Sequence, residues 1–295
     1  RRRPPAAPGT GPEKGGGPMT PTAPTAPPTT TSAAPADRVA PAPHVLADTL
    51  VIARRHLIAL SRQPQLLVFV VVQPIMFVLL FRYVFGGAIR TPPGYNYVDY
   101  LMPGIITQTV AFGATNTAVA MADDLQKGII DRFRALPMSR SAVIGGRVMS
   151  DLARLMLTIG VMVTVGVLIG WRPGLNPLRL LAALLIALGF GQAMSWLSAL
   201  VGLSAKSVET AQAASFVGIF PLTFASSVFV PVRFMPGWLQ AFARANPITL
   251  VASTIRALTH GDPIGQSWWQ AVLWLVAITT LASWAATHKY KKTAG

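Results

Sequence analysis

The chain has 295 residues, is 52% hydrophobic and 12% charged, carries a formal net charge of +15, and contains no cysteine. This apolar excess excludes an ordinary soluble domain, because several stretches reach the ~20 residues that cross a bilayer. The missing cysteine excludes a disulfide framework, a thiolate metal site and a cysteine nucleophile. The charge does not point to nucleic acid, since the basic residues cluster beside apolar runs and form no stripe with interleaved aromatics. His44, His56, His260 and His288 lie outside those runs, show no metal-ligand spacing, and read as solvated surface residues.

Residues 1–44 hold twelve of the 25 prolines, with Gly, Thr and Ala repeats. Such a segment buries too little apolar area to offset its ordering entropy, so it reads as a disordered tail. The arginines at 1–3 precede polar, proline-rich sequence, which is not the pattern of a secretory signal. From Val45 to Leu60 the pattern becomes helical. Val45, Leu46, Thr49, Leu50, Ala53, Leu57 and Leu60 share one side, with Arg54, Arg55 and Arg62 around the rest. The expectation is an amphipathic helix in the inner membrane interface, its arginines towards anionic headgroups. A soluble linker helix is the alternative.

Six membrane spans are expected, at approximately 65–86, 100–122, 149–170, 178–204, 211–230 and 268–287, which makes the fold class an all-α polytopic membrane protein. With the N-terminus inside, 18 Lys/Arg fall on the cytoplasmic side and six on the outer connections, Arg256 among them. The positive-inside rule therefore places both termini in the cytoplasm. Tyr95, Tyr97, Tyr100, Trp171, Trp238, Trp268 and Trp269 then form an outer aromatic belt. The connection 231–266 is too long for a turn and is interrupted at Pro236, Gly237, Asn246 and Pro247, with Trp238 between. It reads as two half-helices dipping back into the outer leaflet, or as a hairpin lying on the surface.

The charge-dense stretch 123–151 stands out between the apolar runs. Read as a helix from Asp123 to about Ala135, it sets Leu125, Ile129, Phe133 and Leu136 on one stripe. Asp124, Lys127, Asp131 and Arg134 fall opposite. Asp123 and Asp124 would sit at the dipole-favoured N-terminal end, and Pro137 would stop the helix. Such an element is a handle for something outside the membrane, or an ordinary interfacial loop helix.

The span interiors are nearly free of ionisable groups, with Arg154 and Glu209 placed at cytoplasmic ends. Proton-coupled transport and intramembrane proteolysis therefore lose their basis. Gln73, Gln108, Thr115, Gln192, Ser195 and Ser198 serve as helix–helix contacts or line a mildly polar cavity. No Gly-x-x-x-x-Gly-Lys-Ser/Thr phosphate loop occurs, so uphill transport would need a partner that hydrolyses nucleotide.

The run Lys127-Gly128-Ile129-Ile130-Asp131-Arg132-Phe133-Arg134-Ala135-Leu136-Pro137 resembles the hallmark segment of ABC type-2 exporter permeases. With Met235-Pro236-Gly237-Trp238-Leu239-Gln240 and Asn246-Pro247-Ile248-Thr249, the similarity covers about residues 45–290 and is greatest to the daunorubicin/doxorubicin resistance branch. The resemblance implies two permeases working with two ATP-binding-cassette subunits. ATP and Mg would be bound on the partner subunits and no cofactor by this chain. It also implies a coupling helix at 123–136 seated in an ATPase groove, with Phe133 and Ile129 filling the groove and Lys127, Asp131, Arg132 and Arg134 at the rim. The helix at 45–60 would be the connecting helix. The path would open between the first, second and fifth spans, with Pro74 and Pro221 as kink points. The expected function is export, across the plasma membrane, of an amphipathic hydrophobic antibiotic or lipid, or of a lipid-linked glycan. Two other classes stay open: a lipid-handling enzyme using Asp99 or Asp262, with nothing seen to pair with either, and a non-transporting scaffold.

Overall fold

The structure, a computed structural model, describes residues 64–89, 91–128 and 140–292. The tail, the expected interfacial helix with Arg54, Arg55 and Arg62, and the segment 129–139 lie outside the described residues. Among those described, all regular structure is helical.

Helix α1 spans Pro64–Leu79 and continues as a π-helical turn, Leu80–Phe85. Helices α2 (Tyr97–Gly113) and α3 (Thr115–Gln126) follow, separated only by Ala114. Then come α4 (Arg140–Ile169), α5 (Pro177–Gly202) and α6 (Val208–Phe224). A short 3-10 turn, Val232–Phe234, leads into α7 (Gly237–Ala245), α8 (Pro247–His260) and α9 (Ser267–Lys292).

Three of the helices contain a segment long and apolar enough to cross a membrane: Ser150–Ile169 in α4, Pro177–Gly202 in α5 and Ser267–Lys289 in α9. They coincide with the expected third, fourth and sixth spans. The other expected spans are built differently. The first is a shorter apolar helix, Val72–Phe85, that includes the π turn. The second is divided at Ala114. The fifth stops at Phe224, six residues short of the expected end, because Ala225 leaves helical geometry (φ −91°, ψ 39°). Pro74 and Pro221 both lie inside helices, as does Pro103.

Helix α2 is the centre of the bundle. Leu101, Met102 and Ile105 are wholly buried, and α1, α4, α5 and α8 pack around it. Two glycines let backbones meet. A Cβ on Gly104 would stand 2.4 Å from the Val228 carbonyl oxygen, and one on Gly202 would stand 2.4 Å from that of Ala118. Lipid is as apolar as leucine, so such close van der Waals contact does much of the work that hydrophobic burial does in water.

Helix α8 is enclosed by α2, α5 and α9, whereas in α7 only Ala243 is buried. The 231–266 connection is thus a helical hairpin broken at Asn246 and Pro247, as expected, with unequal halves. Three of the seven residues of the expected aromatic belt are core: Tyr97, Tyr100 and Trp171 are buried, while Tyr95 is half-buried and Trp238, Trp268 and Trp269 are exposed. Gly104→Ala should lower the thermal unfolding temperature in detergent, since overpacking against backbone costs about 1–3 kcal/mol. Gly160→Ala, whose Cβ meets nothing within 4 Å, should not lower it.

Candidate functional site

The charged stretch that organises the sequence begins differently from its expected form. Asp123 and Asp124 lie in the last turn of α3, not in the first turn of a new helix. Lys127 N–H donates to the Asp123 carbonyl at 3.0 Å, and Gly128 closes the helix with φ +62°, a conformation that suits glycine. Carboxylates at a helix C-terminus face the unfavourable end of the dipole. The Lys127 ammonium, 2.7 Å from Asp123, offsets this at an exposed site. Leu125 packs beside Met121 and Leu203. Ile129, Asp131, Arg132, Phe133, Arg134, Leu136 and Pro137 lie outside the described residues.

At the root of α3 stands a buried charged group. Arg154, expected at a cytoplasmic span end, is only 7% exposed; it pairs with Asp151 at 3.2 Å and donates from Nη2 to the Gly113 carbonyl at 2.8 Å. The Thr117 hydroxyl donates to the other Asp151 oxygen. The i, i+3 spacing of Asp151 and Arg154 is visible in the sequence and signals a helical ion pair. Its burial depends on where α4 meets the α2–α3 break, which the sequence does not show. Gln108, Thr115, Ser195 and Ser198 are also buried between helices.

The hairpin residues occupy a second constellation. Asn246 is 3% exposed and joins two helix ends. Its Oδ1 accepts from Ile248 N–H at 2.9 Å, capping α8, and its Nδ2 donates to the carbonyls of Leu222 at 2.7 Å and Ala225 at 3.1 Å, closing α6. Pro247 stands at the first helical position, where no N–H is needed. Pro236 occupies the corresponding entry of α7, with Gly237 as its first residue and Trp238 exposed.

Arg256, counted above with the outer basic residues, is instead a core cation of α8. It donates from Nε to the Tyr100 carbonyl at 3.0 Å and from Nη2 to the Ser227 carbonyl at 3.1 Å. Its guanidinium lies 3.8 Å from the Tyr100 ring centroid, a desolvated cation–π contact. Sequence reasoning missed it because α8 reads as a half-helix in an external connection.

The outer acids do have partners, contrary to expectation. Asp99 Oδ1 accepts from Arg172 N–H at 3.2 Å. Tyr95 Oη donates to the Asp262 carboxylate, and Arg179 Nη1 donates to the Asp262 carbonyl at 3.2 Å. The His260 ring lies 3.9 Å from that of Tyr95, so His260 is a packed residue. Burial first, then the neighbouring Asp262 carboxylate, holds the Tyr95 phenol well above its ordinary titration range. These contacts fasten loops together.

A third feature is an aromatic seam. Phe81 stacks on Phe229 at 4.1 Å and meets Phe85, tilted, at 5.2 Å; Phe229 meets Phe224 at 5.6 Å, which stacks on Phe220 at 4.3 Å. Phe112 meets Phe216 at 5.8 Å. The seam links α1, α2 and α6, the first, second and fifth apolar segments in chain order.

The sequence is similar to those of known membrane permeases. The ABC-2 type transporter family profile matches residues 47–259. The chain belongs to that family. It is 34% identical over 207 residues to a daunorubicin resistance ABC transporter permease of Streptomyces coeruleorubidus, covering 70% of this chain and 73% of the relative. It is 26% identical over 245 residues to a probable doxorubicin resistance ABC transporter permease of Mycobacterium tuberculosis, covering 80% and 87%. A putative transport permease of Cyanophora paradoxa is 27% identical over 217 residues, covering 72% and 74%. The chain is thus a helical, multi-pass membrane permease of the ABC type, and permeases of this type work with an ATPase partner.

Asn246→Ala removes three hydrogen bonds at about 1 kcal/mol each, so it should destabilise the permease by about 2–3 kcal/mol in thermal unfolding. Asn246→Asp keeps the cap on Ile248 but cannot donate to two carbonyls, and should not rescue.

Proposed function

We propose that this chain is the permease of an ATP-driven exporter that moves an amphipathic hydrophobic compound, an antibiotic or a lipid, outwards across the plasma membrane. Its energy would come from a separate ATPase subunit, present in two copies with a second permease copy. ATP and Mg stay on the ATPase, and this chain binds no cofactor of its own.

The observation that carries the reading is the nearly continuous helix from Tyr97 to Gln126. At 1.5 Å per residue it is ~45 Å long. The hydrocarbon core is only ~30 Å thick, so with α2 inside it the end of α3 projects beyond the membrane surface. Lys127 and Gly128 stand at its end, where a water-soluble subunit could reach them, and residues 129–137 follow them in the sequence. The reading has six crossings with both termini cytoplasmic, taking α1, α2–α3 and α6 as spans beside the three long apolar helices. The basic residues support that orientation.

The docking surface comprises Asp124, Lys127, Gly128, Ile129, Asp131, Arg132, Phe133, Arg134, Leu136 and Pro137. Phe133 would be the buried anchor, and the charges would set register. The path for substrate runs along the aromatic seam between α1, α2 and α6. Stacked phenyl rings suit a planar or amphipathic aromatic cargo. Met76, Tyr83, Val217 and Phe220 leave those helices exposed and apolar beside the seam, the face that a second permease copy would cover. The hairpin around Pro236, Gly237, Trp238, Asn246 and Pro247 would close the outer side.

Co-expression with the ATPase tests the reading. Phe133→Ala and the Asp131→Lys/Arg134→Glu pair should each abolish co-purification of the ATPase while the permease stays folded in the membrane. Undiminished co-purification in both variants would refute the coupling assignment. Phe81→Ala and Phe220→Ala should leave co-purification intact and lower export.

A further inference from the structure

The break between α2 and α3 has an unusual construction. Ala114 keeps helical dihedrals (φ −65°, ψ −22°), so the chain does not turn away. Only the hydrogen-bond register slips: Ala114 N–H reaches the Ala111 carbonyl at 3.3 Å, and Thr117 N–H reaches the Ala114 carbonyl at 2.9 Å. In an uninterrupted α-helix Thr117 N–H would bond the Gly113 carbonyl. That carbonyl is instead taken by Arg154 Nη2 at 2.8 Å, with Asn116 Nδ2 at 3.2 Å.

The charged group on α4 therefore touches both sides of the break. Arg154 holds the last carbonyl of α2. Its partner Asp151 accepts from Thr117, in the first turn of α3. Gly113 adds no bulk at this point, and a Cβ there would meet nothing within 4 Å. Beyond the break, α3 packs through small side chains: Ala118 and Ala122 meet Ala211. α3 is also anchored by Met121, buried against Ala199, Leu203 and Ala286, and by the close approach of Ala118 to Gly202, so it moves as one body with what it touches.

We infer that Thr117, Asp151 and Arg154 form a latch across a hinge at Gly113–Ala114, positioning α3 so that its movement is passed to α2. This rests on the reading of α3 as the arm that an ATPase moves. Charge-assisted bonds are the strong class of hydrogen bond, and two of them here share one buried ion pair. A helix slip alone would be a soft joint. With the latch closed, a displacement of α3 pulls on α4 through Asp151 and on the end of α2 through Arg154.

The chain has no cysteine, so introduced cysteines can be spin-labelled without background. One pair, Gln126→Cys with Lys206→Cys, reports movement of the arm. A second, Leu175→Cys with Trp238→Cys, uses exposed residues far from the arm and reports rearrangement at the outer side. Distances are measured in the full permease–ATPase complex, nucleotide-free and trapped with ATP and vanadate. Without further substitution both pairs should shift. In Arg154→Gln, and in Thr117→Val, which leaves the ion pair intact, the arm pair should still shift and the outer pair should not. Arg154→Lys should restore part of the outer shift.

An outer shift that is full in Arg154→Gln and Thr117→Val would overturn the latch and reduce the group to a cap on an irregular helix, while leaving the proposed function standing. If neither pair shifts in the complex without these substitutions, the ATP-driven reading fails, and the latch with it. Should Arg154→Gln not fold, Thr117→Val decides the matter, because it removes no charge and leaves Asp151 paired with Arg154.

Discussion

Three interruptions among the described helices of this bundle leave backbone carbonyls that lipid cannot satisfy, and at each of them a side chain from another element takes them. This is the constraint on which the architecture depends, because an unsatisfied group in hydrocarbon costs several kcal/mol. At Gly113 the partner is Arg154 of α4. At the end of α6 it is Asn246, which closes Leu222 and Ala225 while capping the next helix. At Ser227, in the turn after α6, Arg256 and Tyr100 share one carbonyl. The breaks are tolerated since they are sealed from a neighbour, and the seals tie together elements far apart in sequence.

The same constraint divides the polar residues by role. Two parts of the bundle carry different seals: an ion pair that closes on both sides of the α2–α3 break, and carbonyl ligands around the Arg256 guanidinium. A guanidinium with its planar fork can hold two carbonyls and an aromatic face at once, which a lysine could not. The close approach at Gly104 and Gly202 then fixes how near α2 and α3 lie to their neighbours, so that these seals reach. Function inherits this arrangement. In the proposed function, a permease driven by a separate ATPase needs an element joining the docking handle to the enclosed centre, and α2 with α3, latched across their break, would be that element.

Much of the fold was legible in hydropathy. The segments at 149–170, 178–204 and 268–287 reappear in α4, α5 and α9 with ends shifted by a few residues, apart from the early start of α4 at Arg140 and the later end of α9 at Lys292. The hairpin break at Asn246-Pro247 was legible because Pro is favoured at the first position of a helix and Asn is a strong cap. What periodicity misjudged were positions decided by tertiary contact. Gly128, not Pro137, ends the helix that contains Asp123, since one left-handed residue outweighs an unbroken apolar stripe. Arg256 and Tyr100 looked peripheral because a half-helix carries no mark of being swallowed by the bundle. Asp99 and Asp262 looked alone because their partners, the Arg172 amide and Tyr95, lie on other loops.

The most direct test of the account is transport by inverted membrane vesicles containing the permease with its ATPase, assayed for ATP-dependent accumulation of a fluorescent anthracycline. Accumulation that requires ATP, requires both subunits and is lost in Phe133→Ala is the expected result. Vesicles that accumulate nothing with both subunits present, or that accumulate equally without the ATPase, would contradict an ATP-driven exporter of amphipathic compounds.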